Sequence, residues 1–358
     1  MSRLRDLGLA VGGLSPGQRN AITDVGGVRV GQVEFIDPPL RSGLTGIIPH
    51  PFDVERRRLF VGRWALDGGD GMTGLGVAED FGTMSSPIFF APAAVAGKVY
   101  DGLIHHGVSR DPSLSTDAGW PPVVVPVDQA AGNPPADLRR RVNEEVVNKV
   151  LQAAGEVVTE GAVGIGSGLS CFGYIGGIGS ASRIARVDGH ERTVGVLVAA
   201  SGGAASNLSI DGYPIGHLLI PAVAPSSPGT LAAVVATDAP LIPLQLDRLA
   251  GRCAIGLARV GILDAATREG LVIGFSTVPA PDGDGGKRAV TSEGALSFLF
   301  QAVIEAVQES VINALLAPVG AVPGVQEESG HPPSGAGQVP VNGWVEEVQR
   351  YQRRRRQL

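Results

Sequence analysis

A chain of 358 residues has room for one large α/β domain or two ordinary ones, and either buries enough surface for a catalytic core. Glycine, at 52 residues, stands at about twice its usual share and aromatics supply only 5%, yet 44% apolar residues exclude a disordered tract and point to a globular chain rich in tight turns. A formal charge of -6 gives no reason to expect nucleic acid as the main partner, and two cysteines, Cys171 and Cys253, are too few for a disulfide framework and match no metal-ligand spacing.

No apolar run reaches the ~18 residues of a membrane span, and Arg3, Arg5 and Asp6 stand where a secretory signal is apolar. The expectation is a cytoplasmic protein with no membrane partner. Short apolar runs with Gly or Pro punctuation predict strands at Val28–Val30, Gly46–Ile48, Phe60–Trp64 and Ile88–Phe90. After Pro134 and Pro135, Asp137 is placed to cap one helix with Leu138, Val142, Val146 and Val150 on its apolar stripe.

A glycine-dense stretch runs from Gly161 to Gly179, and Thr193–Ala200 is a continuous apolar run of buried-strand type. Asp211 and Gly212 mark a turn, and the segment 225–229 is polar and full of breakers. Regular structure resumes at Thr230–Ala236, a second continuous apolar strand. Leu246, Leu249, Ala250, Cys253 and Leu257 then share a helical stripe, Leu271–Ser276 reads as a strand, and Leu296, Phe300, Val303, Val307 and Val311 mark a long amphipathic helix. From Pro318 the chain turns Pro/Gly-rich and ends in Arg353–Arg356, which reads as a mobile appendage. Without regular βαβ alternation, two sheets between helical layers are the natural packing.

The glycine stretch lacks both the dinucleotide fingerprint and the GxxxxGK[ST] phosphate loop, so its glycines are read as close backbone approaches or the lining of a cleft. The histidines form no HExxH, no metal site is expected, and no G-x-S-x-G elbow is present. At Gly229–Thr230 a flexible residue precedes a hydroxyl. Glycine tolerates the strained geometry in which the Thr230 hydroxyl reaches the Gly229 carbonyl. Cleavage there would free an α-amine of pKa roughly 7.7–8.0 to act as base for the same residue's hydroxyl. Taken alone, however, Gly-Thr before an apolar strand is an ordinary loop-to-strand transition.

A set of ordered motifs extends this reading. They are Asn20-Ala21-Ile22-Thr23-Asp24-Val25; Arg41-Ser42-Gly43-Leu44-Thr45; Gly71-Met72-Thr73-Gly74 with Glu79; and Gly164 through Arg183, containing Cys171-Phe172-Gly173 and Gly176-Gly177-Ile178-Gly179. Val194-Gly195-Val196-Leu197-Val198, Ile210-Asp211-Gly212, Ala236-Thr237-Asp238-Ala239-Pro240-Leu241 and Gly256-Leu257-Ala258-Arg259 follow. Over roughly residues 4–316 the chain resembles the L-aminopeptidase/D-esterase and β-peptidyl aminopeptidase family of self-processing N-terminal-nucleophile hydrolases.

The resemblance implies an α/β (α+β) fold, a four-layer αββα sandwich. One domain, 1–316, would be cut into 1–229 and 230–358, with 317–358 a flexible tail. It further implies hydrolysis of amide bonds in small peptides or related amides and esters through acyl-Thr230, without cofactor, by a homo-oligomer of cleaved units. Glu269 would orient the new amine and Thr267 would hydrogen-bond the nucleophile. Ser201 or Asn207 would donate to the oxyanion. Glu79, Asp128 and Phe172 are the implied substrate contacts. Pro126 stands where relatives place an amine-binding glutamate, which departs from the aminopeptidase pattern, with Asp128 as the possible compensation. An acyltransferase of the ornithine acetyltransferase type on the same fold is the second reading, although its Lys-Gly-Ser-Gly motif is missing. A non-catalytic binding protein using the glycine-rich cleft is the third.

Overall fold

The structure, a computed structural model, describes residues 3–37, 40–50, 58–66, 73–112, 114, 121–129, 133–219, 229–262, 267–280, 290–317, 337–355 and 357. Gly71, Met72, Asp264 and the breaker segment 225–228 lie outside them. The first half contains β1 (Arg29–Asp37), β2 (Leu40–Ile48), β3 (Leu59–Ala65), α1 (Leu75–Phe81), β4 (Thr83–Met84), β5 (Ile88–Pro92), α2 (Ala96–Arg110), β6 (Val123–Val127), α3 (Pro135–Arg141) and α4 (Glu144–Gln152). Then come β7 (Ser170–Cys171), β8 (Tyr174–Ile175), β9 (Gly177–Val187), β10 (His190–Ala200), β11 (Ser209–Ile210) and β12 (Tyr213–Pro214). The last elements are β13 (Gly229–Thr237), α5 (Pro243–Gly251), α6 (Cys253–Val260), β14 (Thr267–Pro279), α7 (Leu296–Leu316) and α8 (Trp344–Arg355).

Two sheets stack face to face. One has the order β1-β2-β5-β6, and the other β4-β3-β14-β13-β10-β9. Helices close both outer faces, so the chain is a mixed α/β sandwich with three apolar interfaces between four layers. In the first, Val99 and Leu103 of α2, Leu138, and Val147 and Val150 of α4 cover Leu44, Phe89 and Val124 of the smaller sheet. The inter-sheet core sets Ile47, Phe90 and Val125 against Leu197, Val234 and Ile273. The third joins Val196, Val235 and Val272 to Leu249, Leu257, Val303 and Val311 of α5, α6 and α7.

The burial explains the sequence pattern. β13 is covered on both faces, so Leu231–Ala236 is apolar throughout instead of alternating. The β9–β10 hairpin turns at Asp188-Gly189, both at positive φ (48° and 82°), the conformation that Asp-Gly favours. α7 approaches β9 so closely that a Cβ at Gly179 would lie 1.9 Å from the Ser310 carbonyl oxygen. By length and composition alone α7 suits a membrane span. It lies instead against β9, β10 and α6, with most of its residues buried.

Three expectations change. The single helix from Asp137 is two: Val142 is extended (φ -89°, ψ 124°), and the Asn143 side chain starts α4 by accepting from Val146 N at 3.1 Å. The apolar stripe survives the break because Leu138, Val142 and Val150 all remain buried. Asparagine offers the backbone a cap where a continuous helix would need a propagating residue. The stripe from Leu246 to Leu257 is likewise divided between α5 and α6, with Arg252 between them.

The third correction concerns the mobile appendage. Residues 337–355 return to the body, where Val339, Trp344 and Val348 join the third apolar interface with Leu4, Leu9 and Val11. The charged face of α8 disguises an apolar one that needs the N-terminal segment to cover it.

Candidate active site

Three central strands of the six-stranded sheet meet at one end. β13 and β14 are parallel, with Gly229 opposite Thr267 and Thr230 opposite Glu269, so Arg268 is the extra residue of a bulge. Paired strands lie about 4.8 Å apart, which makes Thr230 and Glu269 backbone neighbours. Bulges of this kind recur beside active sites, where they re-aim a strand end. On the other flank β10 runs antiparallel to β13, with Ala199 opposite Ala232. The ladder ends there, and Ser201 follows the last residue of β10, just before Gly202 bridges to Cys171. Thr230 and Glu269 therefore occupy paired positions on β13 and β14, and Ser201 stands just past the end of β10, the strand on the other side of β13.

Backbone contacts build a wall beside this pair. Gly202 N donates to Ser170 O at 2.9 Å, and Phe172 N donates to Gly202 O at 2.8 Å. The hairpin between β7 and β8 turns at Phe172-Gly173, with φ 55° and 74°. A phenylalanine in the left-handed region is strained, and such strain persists where the surroundings impose it. A Cβ at Gly176 would lie 2.4 Å from Ala200 O, so the glycine-dense stretch is a set of close approaches.

Nothing in the sequence pattern singles out Gln129, yet it links this wall to the smaller sheet. Its amide donates to Ile165 O at 2.9 Å and accepts from Ser42 Oγ (2.6 Å) and Asn133 Nδ2 (2.9 Å). β6 itself packs across the inter-sheet core from β13.

The sequence candidates divide accordingly. Gly229, Thr230, Thr267 and Glu269 converge by register, and Ser201 stands just past the end of β10. Asn207 does not join them. It is exposed and lies against Gly261 after α6, where a Cβ would come within 2.1 Å of Asn207 O. Phe172 is fully buried in the apolar interface under the helices. Glu79 is exposed on α1 and ion-paired with Arg63 of β3. Asp128 is exposed just beyond β6, and Pro126 is half-buried opposite Ala91. Cys171 and Cys253 are both buried, and burial pushes the Cys253 thiol well above its ordinary value.

A second polar group lies elsewhere. Arg183 is fully buried and pairs with Glu305 (3.1 Å) and Glu309 (2.6 Å) of α7. Arg5 also pairs with Glu309 (2.9 Å), and Arg3 pairs with Glu160 (2.8 Å). Burial by itself would raise the Glu309 carboxyl, but Arg183, Arg5 and Asn20 hold it below its ordinary value. For Glu160 burial prevails over Arg3, and its carboxyl is pushed up.

Comparison with known proteins identifies the family. Residues 20–328 match peptidase family S58. Among curated proteins, beta-peptidyl aminopeptidase BapA of Sphingosinicella microcystinivorans is 32% identical over 350 residues, spanning 88% of this chain and 85% of the relative. The PH0078 protein from Pyrococcus horikoshii OT3 superposes with a TM-score of 0.83 at 32% identity, covering 99% of both chains. The L-aminopeptidase D-Ala-esterase/amidase of Ochrobactrum anthropi, described as a prototype serine aminopeptidase and a variant of the Ntn hydrolase fold, gives 0.81 at 30% identity, covering 99% of this chain and 98% of its own. The chain therefore belongs to peptidase family S58 and is a hydrolase of the aminopeptidase type on the N-terminal-nucleophile fold.

Proposed function

We propose that the protein cuts its own backbone between Gly229 and Thr230 and then hydrolyses small peptides or related amides and esters with Thr230 as nucleophile. The observation that carries this reading is the pairing of Thr230 with Glu269 across two parallel strands, with a bulge at the junction. In self-cleavage the Thr230 hydroxyl oxygen attacks the Gly229 carbonyl carbon. The C–N bond breaks, and the hydroxyl proton passes to the leaving nitrogen. Water then hydrolyses the ester, leaving a carboxylate on Gly229 and a free amine and hydroxyl on Thr230.

In turnover that amine takes the hydroxyl proton as the oxygen attacks the substrate carbonyl, and it returns the proton to the leaving amine. Glu269 orients the ammonium form, Thr267 supports the nucleophile, and Ser201 donates to the developing oxyanion. Pro126 has no charge to pair with a substrate ammonium, so acyl groups without a free α-amine are accepted, and Asp128 is the nearest carboxylate in sequence to serve those that have one. The working form is an oligomer of cleaved units in the cytoplasm.

Intact-mass measurement tests the reading. Wild-type protein is expected as two species, 1–229 and 230–358, that stay together under native conditions, and Thr230→Ala as one uncut, inactive chain. Wild-type protein that stays whole on prolonged incubation would refute the mechanism.

A further inference from the structure

A cleft of about 400 Å³ opens where the N-terminal segment, the β11–β12 turn, α6, α7 and α8 meet. Four charged side chains line it, Asp211, Arg259, Glu305 and Arg355, with the backbone of Gly12 and Gly13 beside them. Among the described residues no aromatic side chain does. A cleft of that size is at the small end of ligand pockets, and such walls offer little to an apolar ligand.

The charges in it do not cancel. Glu305 is buried, and its oxygens are taken by Gly13 N, Leu14 N, Gln301 and Arg183, so the fold has already matched it. Asp211 alone faces both arginines of the cleft. Arg355 donates to its Oδ2 at 3.2 Å and to its carbonyl at 3.1 Å. Arg259 stands 3.7 Å from Oδ1, an ion pair too long for a hydrogen bond, and that oxygen already accepts from Gly12 N at 3.3 Å. Among the described residues Arg259 makes no hydrogen bond. Two guanidiniums thus share one carboxylate, and the donor fork of Arg259 is unused. Arg353 and Arg354, exposed in the last turn of α8, add to the positive side. In a chain of net charge -6 this is a local concentration of cations.

We propose that this cleft is a second ligand site, apart from the strand ends, for a small polar oxyanion: the carboxylate of an organic acid or a phosphate group. The anion occupies the fork of Arg259 and shares Arg355 with Asp211. A guanidinium presents parallel N–H donors that match both oxyanions, and these charge-assisted pairs are the strong ones. Bound there, the anion ties α6 to α8 and offsets the uncompensated charge. None of the residues involved belongs to the proposed catalytic set, so the inference stands independently of the self-cleavage reading.

Calorimetric titration with inorganic phosphate and with succinate, against sodium chloride at equal ionic strength, tests the site. At least one of the two should bind wild type saturably and raise its Tm, because the cleft exists only in the folded chain. The stronger ligand tells phosphate from carboxylate chemistry. Arg259→Gln removes no hydrogen bond of the fold and should weaken binding about tenfold or more at a nearly unchanged ligand-free Tm. Arg259→Lys, a point charge without the fork, should fall between. Asp211→Asn removes the competing carboxylate and should tighten binding. Loosening the structure alone would weaken binding in both variants, so the opposite signs identify the site. The proposal is overturned if neither anion binds beyond chloride, if Arg259→Gln binds as wild type does, or if Asp211→Asn weakens binding.

Discussion

Two polar regions of this molecule are built on opposite principles. Around Arg183 the ionic groups are matched within the protein: Glu305 accepts from Gly13 N, Leu14 N, Gln301 and Arg183, and Glu309 from Arg183, Arg5 and Asn20. At the ends of β13 and β14 the ladder instead sets a hydroxyl and a carboxylate residue type, Thr230 and Glu269, opposite each other. Burial and charge alone would rank the Arg183 cluster as the more remarkable site. Its saturation marks it as structural, because a group whose hydrogen-bonding capacity is consumed by the fold has little left for a substrate.

The sharpest way to separate the two regions is to remove a charge from each. At the strand ends, Glu269→Gln should lower turnover by about a hundredfold or more with the circular dichroism spectrum unchanged, and Thr267→Ala should do less. Near-normal activity in Glu269→Gln would assign the carboxylate role to another residue, such as Asp264.

In the Arg183 cluster the effect should fall on stability. Arg183→Met leaves Glu305 and Glu309 buried without their shared cation and should cost about 3–5 kcal/mol by urea unfolding, with activity per folded molecule preserved. A loss no larger than that of an exposed ion pair would contradict the reading of a closed network.

Acid titration refines the contrast. The Glu309 carboxyl is held below its ordinary value of 4.5. Its folded pKa is thus lower than its unfolded one, so its contribution to stability is complete above the unfolded value and is lost as pH falls through the folded one. Glu309→Gln should therefore flatten the acid limb of a Tm–pH curve below about pH 4.5. Glu160 has the opposite sign: its raised carboxyl favours the folded state at low pH, and that gain is lost as pH rises through the folded value. An acid limb unchanged by Glu309→Gln would show that the carboxylate is not held low.

The smallest effect concerns specificity. In a p-nitroanilide series on fully cleaved protein, acyl groups lacking a free α-amine should be turned over at least as well as aminoacyl groups, since an ammonium buried against Pro126 would go unpaired. A strong preference for the free amine would transfer the anchor to Asp128, or to Glu79 if its pairing with Arg63 opens. Failure of both series in a cleaved protein would favour acyl transfer to an amine.

Much of the fold was legible because strand periodicity and complete burial leave simple marks. The apolar runs at Thr193–Ala200 and Thr230–Ala236 are central strands of a covered sheet, and Asp-Gly pairs stand at the β9–β10 and β11–β12 turns. The break at Asn143 was less visible, since helical spacing of Val142, Val146 and Val150 continues across it while a local cap resets the backbone. α8 was hidden for a different reason. Its polar composition resembles a tail until Trp344 and Val348 meet Leu4, Leu9 and Val11, which are more than three hundred residues away in sequence.

The site shows the same division. The sequence by itself determined which residue types are available: a glycine–hydroxyl junction before a buried strand, and a hydroxyl-x-carboxylate pair ahead of the next one. It also determined the family, through motifs spread along the whole chain. Setting Glu269 beside Thr230, placing Asn207 against Gly261 and burying Phe172 required the tertiary structure. Register across a sheet depends on how strands far apart in sequence pair, and one residue of bulge at Arg268 decides whether Glu269 or its neighbour faces Thr230.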